Sequence, residues 1–187
     1  MGNKSSNAAV QKELIDDFHQ GTHYNKIEVR QLYKQFSGEA PTGVLSKAEF
    51  AGLSQSMGIH DPLVTEMVFN AFDRNKDGSI DFAEFVQGMS IMTRGTKEEK
   101  AEFAFHMLDM ERQGSISKEG LLKIVTHLFQ LMVDIDTMKA EECGPPERLV
   151  DTLFAEVDVD NDGYLTVDDY KAAAVKNPRI LQALAMF

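Results

Sequence analysis

The stretch Asp-Arg-Asn-Lys-Asp-Gly-Ser-Ile-Asp-Phe-Ala-Glu, residues 73–84, decides the fold of this chain. Oxygen atoms recur at alternate positions along it, contributed by six residues: Asp73, Asn75, Asp77, Ser79 (through its backbone carbonyl), Asp81 (through a water) and Glu84. Gly78 stands at position 6, where a chain folding around a central ion must turn sharply. Glu84 at position 12 can close the ring with both carboxylate oxygens.

This pattern suits calcium, which takes about six to eight hard oxygen ligands and tolerates irregular geometry. An acidic surface turn is the alternative interpretation. Such a turn has no need for a glycine at position 6, the apolar Ile80 at position 8 and a glutamate at position 12 together. We therefore interpret residues 73–84 as an EF-hand calcium loop.

A second complete set of oxygen ligands occurs at residues 158–169, contributed by Asp158, Asp160, Asp162, Tyr164 (carbonyl), Thr166 and Asp169. Position 12 is aspartate here, and its side chain is one methylene shorter than glutamate. A contact through one oxygen gives a smaller ligand set, closer to the octahedral geometry of magnesium. The sequence predicts weaker calcium binding in this loop, or magnesium at rest.

Residues 109–120 form a degenerate copy of the same pattern. Asp109 and Gly114 are retained, but Gln113 stands at position 5 and Gly120 at position 12. Glu119 comes one position early and would point away from an ion. We expect this loop to support the fold without binding metal.

Residues 38–49 form the most altered copy. Gly38, Ala40 and Thr42 replace the acidic residues at positions 1, 3 and 5, although Glu49 is kept at position 12. Pro41 fixes its own backbone and restricts the residue before it. We expect this loop to bind no metal.

The four loops predict an all-α fold of four EF-hand helix–loop–helix units in two paired lobes, with short β pairing between the residues at position 8. A single unit cannot bury its own apolar face, so an inert loop can still be needed as a partner. We place the lobes at residues 1–94 and 95–187, with a hinge at Arg94-Gly95. The last interval between loops is about 13 residues longer than the others, and we assign the extra residues to 133–146.

Helix signals agree with this division. Asp61-Pro62 predicts an N-cap followed by proline at the first helical position. Ser46 with Glu49, and Thr96 with Glu99, have the spacing of capping boxes. Apolar residues recur every three or four positions over 121–132, which predicts a long amphipathic helix. Further helices are expected at 8–19 and 178–186.

Composition disfavours several classes of function. A net charge of −11 argues against nucleic-acid binding, which needs clustered basic residues. No apolar run approaches the ~20 residues of a membrane-spanning helix. The single cysteine suits a reducing cytoplasm. No nucleophile–base motif or phosphate-binding glycine loop occurs, so an enzyme is the least favoured class.

The chain is rich in flexible and aromatic apolar residues, with 10 Met and 12 Phe. Most occur at helical spacing and belong to the expected core. A subset, including Met89, Met92, Met107 and Met132, could instead line a groove that opens with calcium, because methionine repacks readily around a partner helix.

The chain begins Met-Gly-Asn-Lys-Ser-Ser, which matches the pattern for N-myristoylation at Gly2. No secretory signal competes with this pattern. One myristoyl chain binds membranes only marginally and a second signal is normally required. Lys4 is the only nearby basic residue. Membrane association is therefore expected to be reversible.

Taken together, these motifs resemble the neuronal calcium sensor family of the recoverin and frequenin type. Residues 40–45 (Ala-Pro-Thr-Gly-Val-Leu) are similar to the Cys-Pro-x-Gly segment of that family's inactive first hand, with Ala40 in place of cysteine. Residues 90–100 resemble the family's link between lobes. The third hand departs from the family pattern. In the family this hand usually binds calcium, whereas in this chain its loop at 109–120 is degenerate.

The resemblance implies a cytoplasmic, myristoylated calcium sensor whose exposed groove binds an amphipathic helix of an effector protein. Calcineurin B-like subunits and calaxin are near relatives, so a constitutive regulatory subunit of an enzyme or motor complex is a second possibility. A calcium buffer is a third, and the loss of ligands from two loops disfavours it.

Overall fold

The computed structural model describes residues 18–56, 58–134, 145–158 and 160–176. Four sequence predictions therefore lie wholly or largely outside the described residues. They are the acylation site at Gly2, the first helix at 8–19, the insertion at 133–146 and the terminal helix at 178–186.

The described chain repeats helix, loop, short strand and helix four times, which confirms the predicted all-α EF-hand fold. The elements are α1 (Lys26–Glu39), β1 (Val44–Ser46), α2 (Lys47–Ser56), α3 (Pro62–Phe72), β2 (Ser79–Asp81), α4 (Phe82–Arg94), α5 (Lys97–Leu108), β3 (Ser115–Ser117), α6 (Lys118–Asp134), α7 (Pro146–Val157), β4 (Tyr164–Thr166) and α8 (Val167–Lys176).

The strands join the loops in two antiparallel pairs, β1 with β2 and β3 with β4. Leu45 lies opposite Ile80, and Ile116 lies opposite Leu165, as the sequence predicts for position 8. All four side chains are at most 3% exposed. Each pairing therefore joins one degenerate loop to one loop with a full set of oxygen ligands.

Helix starts follow the predicted caps. The Asp61 carboxylate accepts the N–H of Val64 at 3.0 Å, with proline at the first helical position of α3. The Glu49 carboxylate accepts the N–H of Ser46 at 2.8 Å, and the Glu99 carboxylate accepts the N–H of Thr96 at 2.7 Å. These bonds satisfy main-chain donors that the first turn of a helix leaves unpaired.

The chain divides into two compact units, Met1–Phe103 and Ala104–Phe187. Aromatic rings dominate the core of the first unit; those in contact are Phe18, Tyr33, Phe36, Phe50, Phe69, Phe72, Phe82, Phe85 and Phe103. In the second unit Phe105 packs against the buried Tyr170, with ring centres 6.1 Å apart. The predicted lobe boundary at residue 94 concerns the pairing of EF-hands and stays a prediction.

Helices α3 and α4 approach closely at Gly88. A Cβ atom at Gly88 would lie 2.5 Å from two ring carbons of Phe72. The Phe72 ring is only 4% exposed and is held by the rings of Phe50, Phe85 and Phe103, so it has little room to move. The absence of a side chain at Gly88 sets how closely the two helices around residues 73–84 can pack.

We expect Gly88→Ala to lower the free energy of unfolding by about 1–3 kcal/mol, because overpacking outweighs the gain in helix propensity. Gly52→Ala in α2 is the matched control, since nothing lies within 4 Å of the added Cβ. There the substitution should stabilise the protein by up to about 1 kcal/mol. Urea denaturation of both variants measures the difference, and equal effects would contradict the close approach.

Candidate calcium sites

Three of the four loops share one backbone course. Their entering helices end at Phe72, Leu108 and Val157, immediately before position 1. Position 4 has a positive φ in each, with values of 65° at Lys76, 56° at Arg112 and 57° at Asn161. The glycine at position 6 is also left-handed in all three, a conformation that costs glycine little.

The carboxylate at position 1 organises this backbone course. Asp73 accepts the N–H groups of Asp77 at 3.2 Å and Gly78 at 3.0 Å. The equivalent bonds are Asp109 with Gln113 and Gly114 (3.0 and 2.7 Å), and Asp158 with Asp162 and Gly163 (3.2 and 3.1 Å). Each loop is thus folded around its first aspartate by its own main chain.

In the loop at 73–84, positions 3, 5 and 7 are linked to one another. The Asn75 amide donates to Asp77 at 3.0 Å and accepts the N–H of Asp77 at 2.8 Å. The other Asp77 oxygen accepts from the Ser79 N–H and hydroxyl at 2.9 and 2.8 Å. These bonds join Asn75, Asp77 and Ser79 in one hydrogen-bonded chain along the loop.

Glu84 turns back from the first turn of α4 toward the loop. One carboxylate oxygen accepts the N–H of Asn75 at 3.0 Å and the other accepts the N–H of Asp81 at 3.1 Å. Asp81 in turn caps α4 by accepting the N–H of Glu84 at 2.8 Å. Glu84 therefore joins position 3 of the loop to the leaving helix.

The electrostatics of this loop favour a bound cation. Asp73 is 0% exposed and Glu84 is 9% exposed. Burial raises the pKa of Glu84, and the negative charges of Asp81 and Asp73 add to the rise, although the hydrogen bonds from Asn75 and Asp81 oppose it. A divalent cation would relieve this repulsion, and its binding requires Glu84 to lose its proton. Calcium affinity is therefore expected to fall as pH is lowered through the raised pKa.

In the loop at 158–169, the carboxylates of Asp158, Asp160 and Asp162 come together. One oxygen from each lies within 4.8 Å of the others. Oxygen atoms bound to one calcium ion at 2.3–2.6 Å can be up to about 5 Å apart, so this arrangement fits calcium. Tyr164 follows in β4, with its N–H bonded to Asp162 at 2.7 Å and its ring half exposed.

The closing residue of this loop has a shorter reach. One oxygen of the Asp169 carboxylate accepts from both the N–H, at 3.0 Å, and the hydroxyl of Thr166. Glu84 bonds both the equivalent N–H and the N–H of position 3 across the loop. Both of these bonds of the Asp169 carboxylate are made to Thr166, the residue just before α8. This difference between Glu84 and Asp169 agrees with the shorter side chain of Asp169, which has one methylene fewer.

The loop at 109–120 keeps the backbone course without a closing acid. At position 12 the Gly120 N–H donates to the Ser117 hydroxyl at 3.1 Å, which caps α6. Glu119 pairs with Lys123 at 2.9 Å on the surface of the same helix. The carboxylate nearest to position 12 is therefore bound along α6, away from the loop.

The loop at 38–49 has a different backbone conformation, because α1 continues through Gly38 and Glu39, the first two positions of the loop. Pro41 at position 4 cannot adopt the positive φ of the other loops. The Thr42 hydroxyl donates to the carbonyl of Val44, the position 7 group that would face an ion, at 3.1 Å. This loop retains its glycine and its strand.

Comparison with known proteins agrees with this arrangement. A family model described as an EF-hand domain pair matches residues 98–175, and one described as an EF hand domain matches residues 64–92. The calcium-binding protein NCSA of Dictyostelium discoideum is 37% identical over 186 residues, covering 100% of this chain and 98% of that protein. Neuronal calcium sensor 1 of Lymnaea stagnalis is 34% identical over 188 residues, covering 100% of this chain and 97% of that protein.

The chain belongs to the neuronal calcium sensor family. Its cofactor is calcium, and it is a calcium-binding sensor protein built from EF-hands. Within the described ranges, no helix combines the length and apolar character needed to span a membrane.

The sequence motifs assign no role in the site to the groups that fix the leaving helix of loop 73–84. Tyr24, Glu28 and Arg94 meet at the far end of α4. One signal was available, because Asn25 and Glu28 have capping-box spacing and form such a box at the start of α1. The long-range contacts to α4 had no local signal.

We expect Glu84→Gln to weaken calcium binding at 73–84 by about 100-fold, because a buried charged ligand is lost. Calorimetric titration should show one site fewer. Glu119→Gln is the control with the same charge change, on an exposed side chain paired with Lys123. It should leave both sites intact, and an equal loss in the two variants would contradict the assignment of Glu84.

We expect Asp169→Glu to tighten calcium binding at 158–169 by about tenfold, because the longer side chain gains a second oxygen contact. The same substitution should reduce the preference for magnesium. Titrations with each ion test this, and unchanged or weaker calcium binding would refute the argument from side-chain length.

Proposed function

We propose that residues 73–84 form the main regulatory calcium site of this sensor and that residues 158–169 form a second, weaker or magnesium-binding site. The ligands are those at alternate positions of each loop: Asp73, Asn75, Asp77, Ser79, Asp81 and Glu84, then Asp158, Asp160, Asp162, Tyr164, Thr166 and Asp169. The observation that carries the proposal is the Glu84 carboxylate, which lies buried between its loop and α4. Calcium there acts on the helix that leaves the loop.

The output is regulation of an effector protein through an apolar groove. In the first unit Met92 is 45% exposed and Met89 is half-buried, both on α4. In the second unit, described by itself, Met107 and Met132 are half-buried. By contrast Met67 is 1% exposed and belongs to the core. Accessible methionines support a surface that repacks around an amphipathic helix. The protein acts by binding, without catalysis of its own and without nucleic acid.

Cytoplasmic location with reversible membrane association completes the proposal. The support is the acylation pattern at Gly2. A single myristoyl chain gives only marginal binding, so a membrane-bound effector would supply the second contact. Mass spectrometry of protein from its native cell tests the acylation, and an unmodified Gly2 would remove this part of the proposal.

Calcium titration of an apolar-surface dye tests the sensor mechanism. Wild type should show a calcium-dependent rise in dye fluorescence, and Glu84→Gln should lose most of it. Magnesium alone should give little rise, because the helix that leaves 158–169 is α8 and the one that leaves 73–84 is α4. A wild-type protein without any calcium-dependent rise would refute exposure of a groove.

A pull-down with and without calcium separates the sensor from a constitutive calcineurin B-like subunit. The sensor should retain its effector only in calcium, and Glu84→Gln should fail to retain it. A partner bound equally under both conditions would favour the constitutive subunit. In that case calcium would stabilise the complex without switching it.

A further inference from the structure

Helix α4 carries the residue that closes the predicted calcium loop at 73–84. Its first turn carries Glu84, whose carboxylate reaches Asn75 across the loop at 3.0 Å. A helix moves as a rigid rod, so a tilt at its other end would withdraw Glu84 from the loop. Contacts near Arg94 can therefore affect a calcium site about 15 Å away along the helix axis.

The far end of α4 is held by residues 23–28, the segment that leads into α1. The Tyr24 hydroxyl bonds the Met89 carbonyl at 3.0 Å and the Thr93 hydroxyl at 2.8 Å. The His23 N–H donates to the hydroxyl of Ser90 at 2.7 Å, and Ser90 is 1% exposed. These bonds span about 65–70 residues of sequence and fix three positions in the last two turns of the helix.

Arg94 supplies the charged part of the same attachment. Its guanidinium donates to both Glu28 oxygens at 2.5 and 3.0 Å, and to the His23 carbonyl at 3.1 Å. It also lies over the Tyr24 ring, 4.8 Å from its centre. A planar guanidinium bonded to both carboxylate oxygens fixes orientation as well as distance.

Glu28 has two simultaneous roles in this attachment. Its carboxylate also accepts the Asn25 N–H at 2.8 Å, closing the capping box of α1. The hydrogen bond from Arg94, then that from Asn25, lowers the pKa of Glu28 to about 2. One carboxylate therefore joins the start of α1 to the end of α4 and stays ionised at neutral pH.

We propose that Arg94 is a positioning residue for calcium: with Glu28 and Tyr24 it holds α4 where Glu84 meets the loop, and so raises calcium affinity at residues 73–84. The proposal rests on the proposed function of that loop as a calcium site. Because coupling between two sites is reciprocal, calcium bound there must in turn strengthen the hold on residues 23–28.

The sign of the effect separates this mechanism from simple charge repulsion. Arg94 is a cation on the same helix as the acidic loop, so its long-range field would weaken calcium binding, and its removal would tighten it. At 15 Å this field is largely screened at physiological ionic strength, where the Debye length is about 8 Å. The positioning role predicts the opposite outcome, which is weaker binding when Arg94 is replaced.

The test is a calcium titration of the full chain, followed by NMR. The amides of Gly78 and Gly163 each donate to the position 1 carboxylate of their own loop, so they report the two sites separately. We expect Arg94→Gln to weaken binding at Gly78 by about fivefold or more, in the range typical of coupling between sites, with Gly163 unchanged. Lys123→Gln is the control, because it loses the same charge from an exposed ion pair within one helix.

Two further variants identify the ion pair as the cause. Glu28→Gln should weaken calcium binding at residues 73–84, as reported by the Gly78 amide, to the same extent as Arg94→Gln. The two substitutions change the net charge in opposite directions. The double variant Arg94→Glu with Glu28→Arg should recover part of the affinity at unchanged net charge. If Arg94→Gln fails to fold, Tyr24→Phe serves instead, since it keeps the ring and loses both hydroxyl bonds to α4.

Unchanged or tighter calcium binding in a folded Arg94→Gln protein overturns the positioning role. Equal weakening of calcium binding at Gly78 and at Gly163 also overturns it, because that pattern indicates general destabilisation of the protein. Failure of the proposed function gives a different result, in which wild type shows no calcium response at Gly78 at all. A wild-type response combined with an unaffected Arg94→Gln variant refutes only the positioning role.

Discussion

The position 12 side chain is the one link on which the calcium response of an EF-hand depends, because it belongs both to the loop and to the first turn of the helix that leaves it. In this protein Glu84 makes that link completely, with one oxygen at Asn75 and the other at Asp81. Asp169 stays near Thr166, and Gly120 has no side chain to make the link. The loops at 73–84, 109–120 and 158–169 therefore differ in how far a carboxylate on the leaving helix reaches back across the loop, whereas the loop at 38–49 keeps Glu49 and has lost the acids at positions 1, 3 and 5.

The degenerate loops nevertheless have a physical purpose. Leu45 and Ile116 pair with Ile80 and Leu165, and these buried contacts give each ligand-rich loop a fixed neighbour. The loop at 109–120 even keeps the hydrogen bonds from Asp109 to its own main chain. A loop can thus lose its metal ligands and keep its shape, since the shape depends on main-chain donors and on two left-handed residues. Strand pairing and metal binding therefore depend on different positions of the same twelve residues.

The acidic loop at 73–84 contains repulsion between carboxylates that a bound calcium ion would relieve. Burial and the charges of neighbouring aspartates raise the pKa of Glu84, while hydrogen bonds from the main chain hold its carboxylate in place. Packing of α4 against α3 at Gly88 and the attachment of its far end by residues 23–28 keep the helix close to the loop. Calcium binding in such a site gains free energy from charge neutralisation. The membership of the neuronal calcium sensor family agrees with a site of this kind.

The sequence by itself determined the fold class, the spacing of the loops, the pairing at position 8 and the caps of three helices, because each rests on local patterns of a few residues. It also identified which loops carry oxygen ligands, since calcium chemistry dictates residue types at fixed positions. Only the tertiary structure decided that Glu84 is buried against its loop and that Tyr24, Glu28 and Arg94 meet at the end of α4. The contacts at the end of α4 join residues separated by about 65–70 positions, so no periodicity or motif encodes them. They arise because α1 and α4 pack side by side, and that packing is a property of the whole folded unit.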